Sequence, residues 1–354
     1  HAIDWRPWEP DAAPSAAATA SIAVVGDHHA AQQLRDRLGS LGHPAGDVGD
    51  AHHVLYVPEV DTDETDVDVA VRLICEVGDI VATLVDRDPR NPVSMWVITR
   101  GVFEATTEAA RRQSSLWALA GVIDAEQPQL WGGLEDHAPE EPIADSAADL
   151  AGILHSPAES IVLLRDGAFL TSVLAEVAGD PVRPPLRCRP DAAYMITGGL
   201  GDLGLLTAGW LADLGARNVV LLGRTAVRRT TDTETVDPGT RRRLAAIRAL
   251  ERRGVSVETA AIDIGAADEV KALLAKRDTD GAAPIRGVIH AAGLAEGQLV
   301  TDLEPERVRR TVWPKIAGAQ VLHDAFPPGH LDFLYLTASA GTVIGVPGQA
   351  AYAG

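Results

Sequence analysis

Apolar residues in this chain come in short β-rich runs, and helix-period stretches separate them almost throughout. The first run, Ser21-Ile22-Ala23-Val24-Val25-Gly26, closes on a glycine and precedes a helical pattern over 30–41. Strands follow at 54–57 and 94–99, with a long helical stretch over 66–86 between them. The pattern breaks across 179–190, where Gly-Asp-Pro-Val-Arg-Pro-Pro-Leu-Arg-Cys-Arg-Pro carries four prolines and reads as a linker. It restarts at Tyr194-Met195-Ile196-Thr197, and further strands are expected at 218–222, 255–262, 287–291 and 333–338. Strands alternating with helices of this length predict βαβ units and parallel sheets. The expectation is an α/β chain of two units, 1–190 and 191–354, opening alike on Val24-Val25-Gly26 and Ile196-Thr197-Gly198.

Composition narrows the function. At 354 residues each half is long enough to bury its own core. With 31 Lys+Arg against 50 Asp+Glu, a formal charge of −19 argues against a nucleic-acid partner, which needs a net basic face. Cys75 and Cys188 are too few for a disulfide framework or a thiolate metal site, so the simplest context is cytoplasmic. No run approaches the ~18 apolar residues of a membrane span, and no export signal is evident. Only three cations are lysines, Lys271, Lys276 and Lys315.

The two halves differ in their first turn. The second has Gly199-Leu200-Gly201-Asp202-Leu203-Gly204 between a strand and an apolar helix over 205–214. Glycines there allow a tight turn and let backbone approach a pyrophosphate held on helix N–H groups; a plain packing turn is the alternative. The first half has Gly26-Asp27-His28-His29-Ala30 at that place and lacks the spacing. The next strand ends in Leu222-Gly223-Arg224, with Arg228 and Arg229 nearby, where an arginine favours the 2′-phosphate of NADPH. Asp263 follows an apolar run as an acceptor for the adenine amine or as a helix N-cap. His290-Ala291-Ala292-Gly293 ends a later strand in small residues, as a neighbouring cofactor or close packing requires. Past the last strand stands Ser339, with Tyr352 thirteen residues on and Lys315 twenty-four before the serine. These types suit carbonyl reduction. An ammonium stabilises a tyrosinate whose ordinary pKa is ~10, and a serine hydroxyl can donate to an oxygen that gains charge.

The second half resembles a short-chain dehydrogenase/reductase, and more closely the ketoreductase domain of a modular type I polyketide synthase. The resemblance runs through Thr197-Gly198-Gly199-Leu200-Gly201-Asp202-Leu203-Gly204, Val288-Ile289-His290-Ala291-Ala292-Gly293, Lys315-Ile316-Ala317-Gly318-Ala319 and Pro347-Gly348-Gln349-Ala350-Ala351-Tyr352-Ala353. The lysine on the earlier helix matches these ketoreductases, whereas other short-chain reductases carry it four residues after the tyrosine. The first half is similar to the family's N-terminal structural subdomain, through His1-Ala2-Ile3-Asp4-Trp5-Arg6-Pro7 and Leu130-Trp131-Gly132-Gly133-Leu134. The resemblance implies two Rossmann-like subdomains with parallel sheets, 1–190 structural, truncated and without a cofactor site, and 191–354 catalytic. It implies NADPH-dependent reduction of a β-ketoacyl thioester on the phosphopantetheine arm of an acyl carrier protein, with neighbouring synthase domains as further partners. Tyr352 would be the proton donor and Ser339 the second donor to the ketone oxygen. Lys315 would orient the cofactor ribose and lower the tyrosine pKa. Thr197, Gly198, Gly199, Leu200 and Gly201 would cradle the diphosphate, Arg224 the 2′-phosphate and Asp263 the adenine. Ala291, Ala292 and Gly293 would line the nicotinamide side, and no metal is implied.

The chain departs from the family pattern in three places. Asp202 stands where glycine is common, so its carboxylate must turn away from a pyrophosphate or cap the helix. The product-hand markers are replaced by Ala295-Glu296-Gly297 and by Ile344, which leaves the alcohol configuration unassigned. The family's asparagine would fall at position 356, so the domain is expected to be cut short after Tyr352 and to turn over little by itself. Arg309-Arg310 and Arg241-Arg242-Arg243 are candidate docking patches for the carrier protein, against a reading as solvated helix faces. Two other functions stay open, a non-catalytic reductase-like scaffold and a stand-alone dehydrogenase acting on a free small molecule.

Overall fold

Strands buried on both faces dominate the architecture, because the apolar runs of the sequence sit inside parallel sheets. The computed structural model describes residues 2–11, 20–60, 63–156, 161–177, 186–225 and 237–354. Its first sheet holds β1 (Ala2–Pro7), β2 (Ile22–Val25), β3 (His53–Tyr56), β4 (Ser94–Arg100), β5 (Trp131–His137), β6 (Ile161–Arg165) and β7 (Ala168–Ala175). The order is β1-β7-β6-β5-β4-β3-β2. Neighbours from β2 to β6 pair in parallel. This sheet is mixed, not purely parallel: β7 and β1 add an antiparallel edge. Asp166 and Gly167 turn the β6–β7 hairpin with φ of 53° and 73°, the positive pair that a two-residue turn needs.

The helices of this part are α1 (His29–Ser40), α2 (Asp66–Val85), α3 (Glu108–Arg112), α4 (Ser114–Glu126) and α5 (Ala147–Ile153). On α1, Ala31, Leu34 and Leu38 recur at helical spacing and are buried with Leu55, Trp96 and Ile98 of the sheet and Leu150 and Ile153 of α5. Thr65 caps α2 by accepting from the Asp68 amide at 3.2 Å.

The second sheet comprises β8 (Ala193–Thr197), β9 (Asn218–Gly223), β10 (Ser256–Ala261), β11 (Ile285–His290) and β12 (Phe333–Leu336). All its pairs are parallel, in the order β10-β9-β8-β11-β12. Its helices are α6 (Asp202–Asp213), α7 (Pro238–Arg252), α8 (Ala267–Thr279) and α9 (Pro305–Ala325), with α10 (Gly341–Ile344) and α11 (Ala350–Ala353) after β12. The chain builds outward from β8 to β10, then crosses back to lay β11 on the other side of β8. That reversal is a topological switch point, the place where open α/β sheets bind ligands, outside the strand carboxyl ends. In the first sheet β2 to β6 succeed one another in a single direction, so the described strands there have no such crevice.

By packing, the chain divides into two units that differ from a cut at 190. One comprises His1–Gly179 with Ala295–Val312 and Ser339–Gly354; the other is Asp180–Leu294 with Trp313–Ala338. Two short segments of the C-terminal half thus pack with the N-terminal sheet's helices. A Cβ on Gly78 of α2 would lie 2.8 Å from Leu303, and one on Gly345 would lie 2.0 Å from the Gly121 carbonyl of α4. Among the described residues no helix is long and apolar enough to cross a membrane.

Candidate active site

The glycine-rich loop follows β8 at the switch point. Gly198 has φ of +65°, and a Cβ there would lie 2.7 Å from the Ala291 carbonyl beyond β11. Gly199 is closed in by Ile196 and Leu221, and Gly204 would press a Cβ within 2.4 Å of the Gly198 carbonyl. Those three positions need glycine for the fold itself. Gly201 is less confined: the one atom within 4 Å of a Cβ built there is the Gly198 oxygen, in a tight contact at 3.2 Å. Gly201 stands at the first turn of α6, where backbone N–H groups and the helix dipole favour an anion. The loop fits a dinucleotide diphosphate. Leu200 contributes backbone only, its side chain being buried in the core against Leu221 and Ala208.

A chain of hydrogen bonds ties this loop to Lys315. The Ala292 amide donates to Thr197 Oγ1 at 3.1 Å, and Thr197 Oγ1 lies 2.6 Å from His290 Nδ1. His290 Nε2 lies 2.8 Å from the Pro314 carbonyl of α9. A carbonyl only accepts, so Nε2 carries the proton and the Thr197 hydroxyl donates to a bare Nδ1. Gly318 leaves room for the ring, since a Cβ there would lie 3.0 Å from His290 Cε1. One residue past Pro314, the Lys315 ammonium donates to the Thr337 carbonyl at 3.0 Å and to its hydroxyl at 3.3 Å. The Thr337 hydroxyl in turn donates to the His290 carbonyl at 2.9 Å. Lys315 is half-buried, and burial pushes its pKa below the ordinary lysine value. Gly293 faces its stem, with a would-be Cβ 3.0 Å from Lys315 Cε. Sequence reasoning missed Thr337 and the role of His290, although the letters of the His290 motif stood out.

Arg224 and Asp263 stand beyond the carboxyl ends of β9 and β10, the same end of the sheet as the loop. Arg224 is exposed, while Arg228 and Arg229 lie outside the described residues. Asp263 is not the N-cap of α8, where Ala266 stands. Its Oδ1 accepts from the Gly265 amide and the Trp313 indole, both at 3.0 Å. Asp202 turns outward and pairs with Arg242 at 3.3 Å, both largely exposed, and it caps nothing.

Ser339 and Tyr352 belong to the segment packed with the first unit. Ser339 Oγ accepts from the Gly341 amide at 3.1 Å, which leaves its proton free to be donated elsewhere. Tyr352 is half-buried on α11. The loop 295–300, with the marker position Ala295-Glu296-Gly297, is held by Glu296, which pairs with Arg307 and Arg310 at 3.1 Å each. Arg309 pairs with Asp68 on α2. The Arg309-Arg310 cluster is thus engaged within the protein.

A doubly wound parallel sheet, a glycine-rich loop at its switch point and a desolvated lysine beside it define a reductase of the short-chain dehydrogenase/reductase superfamily. The KR domain family model matches residues 192–354, and the chain belongs to the ketoreductase domains of polyketide synthases. As such it is an NAD(P)H-dependent oxidoreductase acting on a ketone. A phenolphthiocerol/phthiocerol polyketide synthase of Mycobacterium tuberculosis is 51% identical over 367 residues, covering 100% of this chain and 20% of that protein. A 6-methylsalicylic acid synthase of Arthrobotrys oligospora is 34% identical over 307 residues, 85% of this chain and 17% of that protein. The chain therefore spans a fifth or less of these multidomain relatives. A solved A1-type ketoreductase superposes with a TM-score of 0.75 at 28% identity, over 99% of this chain and 76% of that one.

Proposed function

We propose that the chain reduces the β-ketone of an acyl thioester, carried on the phosphopantetheine arm of an acyl carrier protein, to the β-hydroxyacyl thioester during polyketide elongation. The cofactor in this reading is NADPH, which supplies the hydride when bound. Thr197, Gly198, Gly199, Leu200 and Gly201 hold its diphosphate through backbone, and Arg224 the 2′-phosphate. Asp263 receives the adenine amine on Oδ2, since Oδ1 is already shared. Ala291, Ala292 and Gly293 border the nicotinamide. Tyr352 gives the proton to the ketone oxygen and Ser339 donates a second hydrogen bond to it. Lys315 serves the ribose and stabilises the tyrosinate. A cytoplasmic location belongs to the same reading. The glycine-rich turn at the switch point, where a Cβ on Gly201 would meet the Gly198 oxygen alone at the start of α6, supports it most.

The test is NADPH oxidation with a β-ketoacyl thioester mimic, in the chain and in a polypeptide extended past Gly354. Wild type is expected to turn over, and Tyr352→Phe to lose roughly 10²-fold or more. No oxidation in either form favours the scaffold. Equal rates with NADH remove the role of Arg224, and full activity of Tyr352→Phe removes the proton donor.

A further inference from the structure

Helix α4 ends in an acid, Glu126, although a carboxylate at a helix C-terminus opposes the macrodipole. Its placement serves something other than α4. Both oxygens accept backbone amides from distant loops: Oε2 from Val300 at 2.8 Å and Oε1 from Gly348 at 2.7 Å. Bonds to an ionised acceptor are shorter and roughly twice as strong as neutral ones.

The two amides belong to one paired structure. The Gln298 amide donates to the Gly348 carbonyl at 2.8 Å, and the Ala350 amide returns to the Gln298 carbonyl at 3.3 Å. The Gln298 side chain accepts from the Glu304 amide at 3.0 Å, which fixes the loop to the start of α9. Gly348 has φ of +78° and opens the turn into α11, four residues before Tyr352. One carboxylate thus joins the loop 295–300 to the turn that leads to the tyrosine.

We infer that Glu126 is a positioning residue of the active site: its carboxylate, supplied by the N-terminal half, sets the Gly348 turn and the Val300 loop together. This rests on the reading of Tyr352 as proton donor. Misplacement of a reacting group by about 1 Å costs on the order of 10²-fold in rate. The first half thereby has a chemical duty through a single side chain.

Glu126→Gln tests it. The amide keeps the shape and one acceptor but turns an N–H toward the second amide. Two readouts apply: backbone hydrogen exchange at Gly348 and Val300, and steady-state reduction of a β-ketoacyl thioester mimic. The variant is expected to exchange faster at those amides, with β8–β11 unchanged, and to lose ~10-fold or more in kcat while KM for the cofactor holds. Wild-type exchange and kcat, or protection lost evenly over α4 and its sheet, overturns the inference. Tyr352→Phe runs in parallel: full activity there defeats the proton-donor reading, whereas a dead Tyr352→Phe beside a fully active Glu126→Gln defeats the positioning role alone.

Discussion

His290 stands at the end of β11 with a ring that carries one proton. The Pro314 carbonyl takes the Nε2 proton, the Thr197 hydroxyl fills Nδ1, and the ring is buried. Burial, and secondarily the charge of Lys315, lower its pKa from 6.5 to about 4. The neutral form is the native one, so His290 favours folding fully above its ordinary pKa, and that support is lost as pH falls from 6.5 toward 4. The loss at pH 5 relative to pH 7 amounts to about 2 kcal/mol. His53 is lowered to about 4 as well, so wild type keeps a second such slope. In denaturant unfolding, His290→Asn is expected to be less stable than wild type at pH 7, and the gap to shrink by about 2 kcal/mol at pH 5. A gap independent of pH would mean that the ring is not held neutral. The sequence makes the motif around His290 visible but not this duty, because the partners Pro314 and Thr337 come from elements 24 and 47 residues away.

At the scale of elements, the parallel strands other than β5 and β6, and the glycine loop, were legible because each is a local pattern. Buried strands are continuous apolar runs, and the loop is six consecutive residues. β1 was not legible: it is mostly exposed and owes its existence to register with β7, as Trp5 opposite Ser172 illustrates. β5 was hidden for another reason, since Glu135, Asp136 and His137 interrupt its apolar run yet are fully buried. Asp136 is satisfied by Thr99 and the Val102 amide, and Glu135 Oε2 lies 2.8 Å from His137 Nε2 as a buried ion pair. The loop itself separates two kinds of glycine. Gly201→Ala places a methyl against the Gly198 oxygen alone, at 3.2 Å, a contact that a few tenths of an ångström of shift relieves, so the loss of thermal stability is expected to stay within about 1 kcal/mol while NADPH affinity falls ~10-fold or more. Gly204→Ala forces a Cβ within 2.4 Å of backbone and is expected to cost more than ~2 kcal/mol in unfolding free energy. Equal loss of stability in both would show that Gly201 is a packing position, and nucleotide binding measured by fluorescence would then follow stability.

Charge is distributed unevenly over the molecule, which the total of −19 conceals. Unit one carries 13 cationic and 34 acidic side chains, unit two 18 and 16. The acidity that argued against nucleic acid therefore belongs to the N-terminal unit, and the unit with the glycine loop is close to neutral. Within it α7 carries Arg241, Arg242, Arg243, Arg248 and Arg252 against Glu251 alone. Arg242 pairs with Asp202 as Arg310 does with Glu296, so ion pairing does not separate the two patches, and the denser row of cations makes α7 the one to test as a docking face for an acidic carrier protein. Attraction of this kind acts on encounter and is screened by salt within about 10 Å at 0.1 M. Arg241→Ser combined with Arg243→Ser is expected to lower kcat/KM for a carrier-borne β-ketoacyl substrate by ~10-fold at low salt and to leave a small thioester mimic unaffected. Raising the salt should slow wild type toward the variant on the carrier-borne substrate. Parallel loss on both substrates would place those arginines in the cofactor's surroundings, and no loss on either would move carrier docking off α7 altogether.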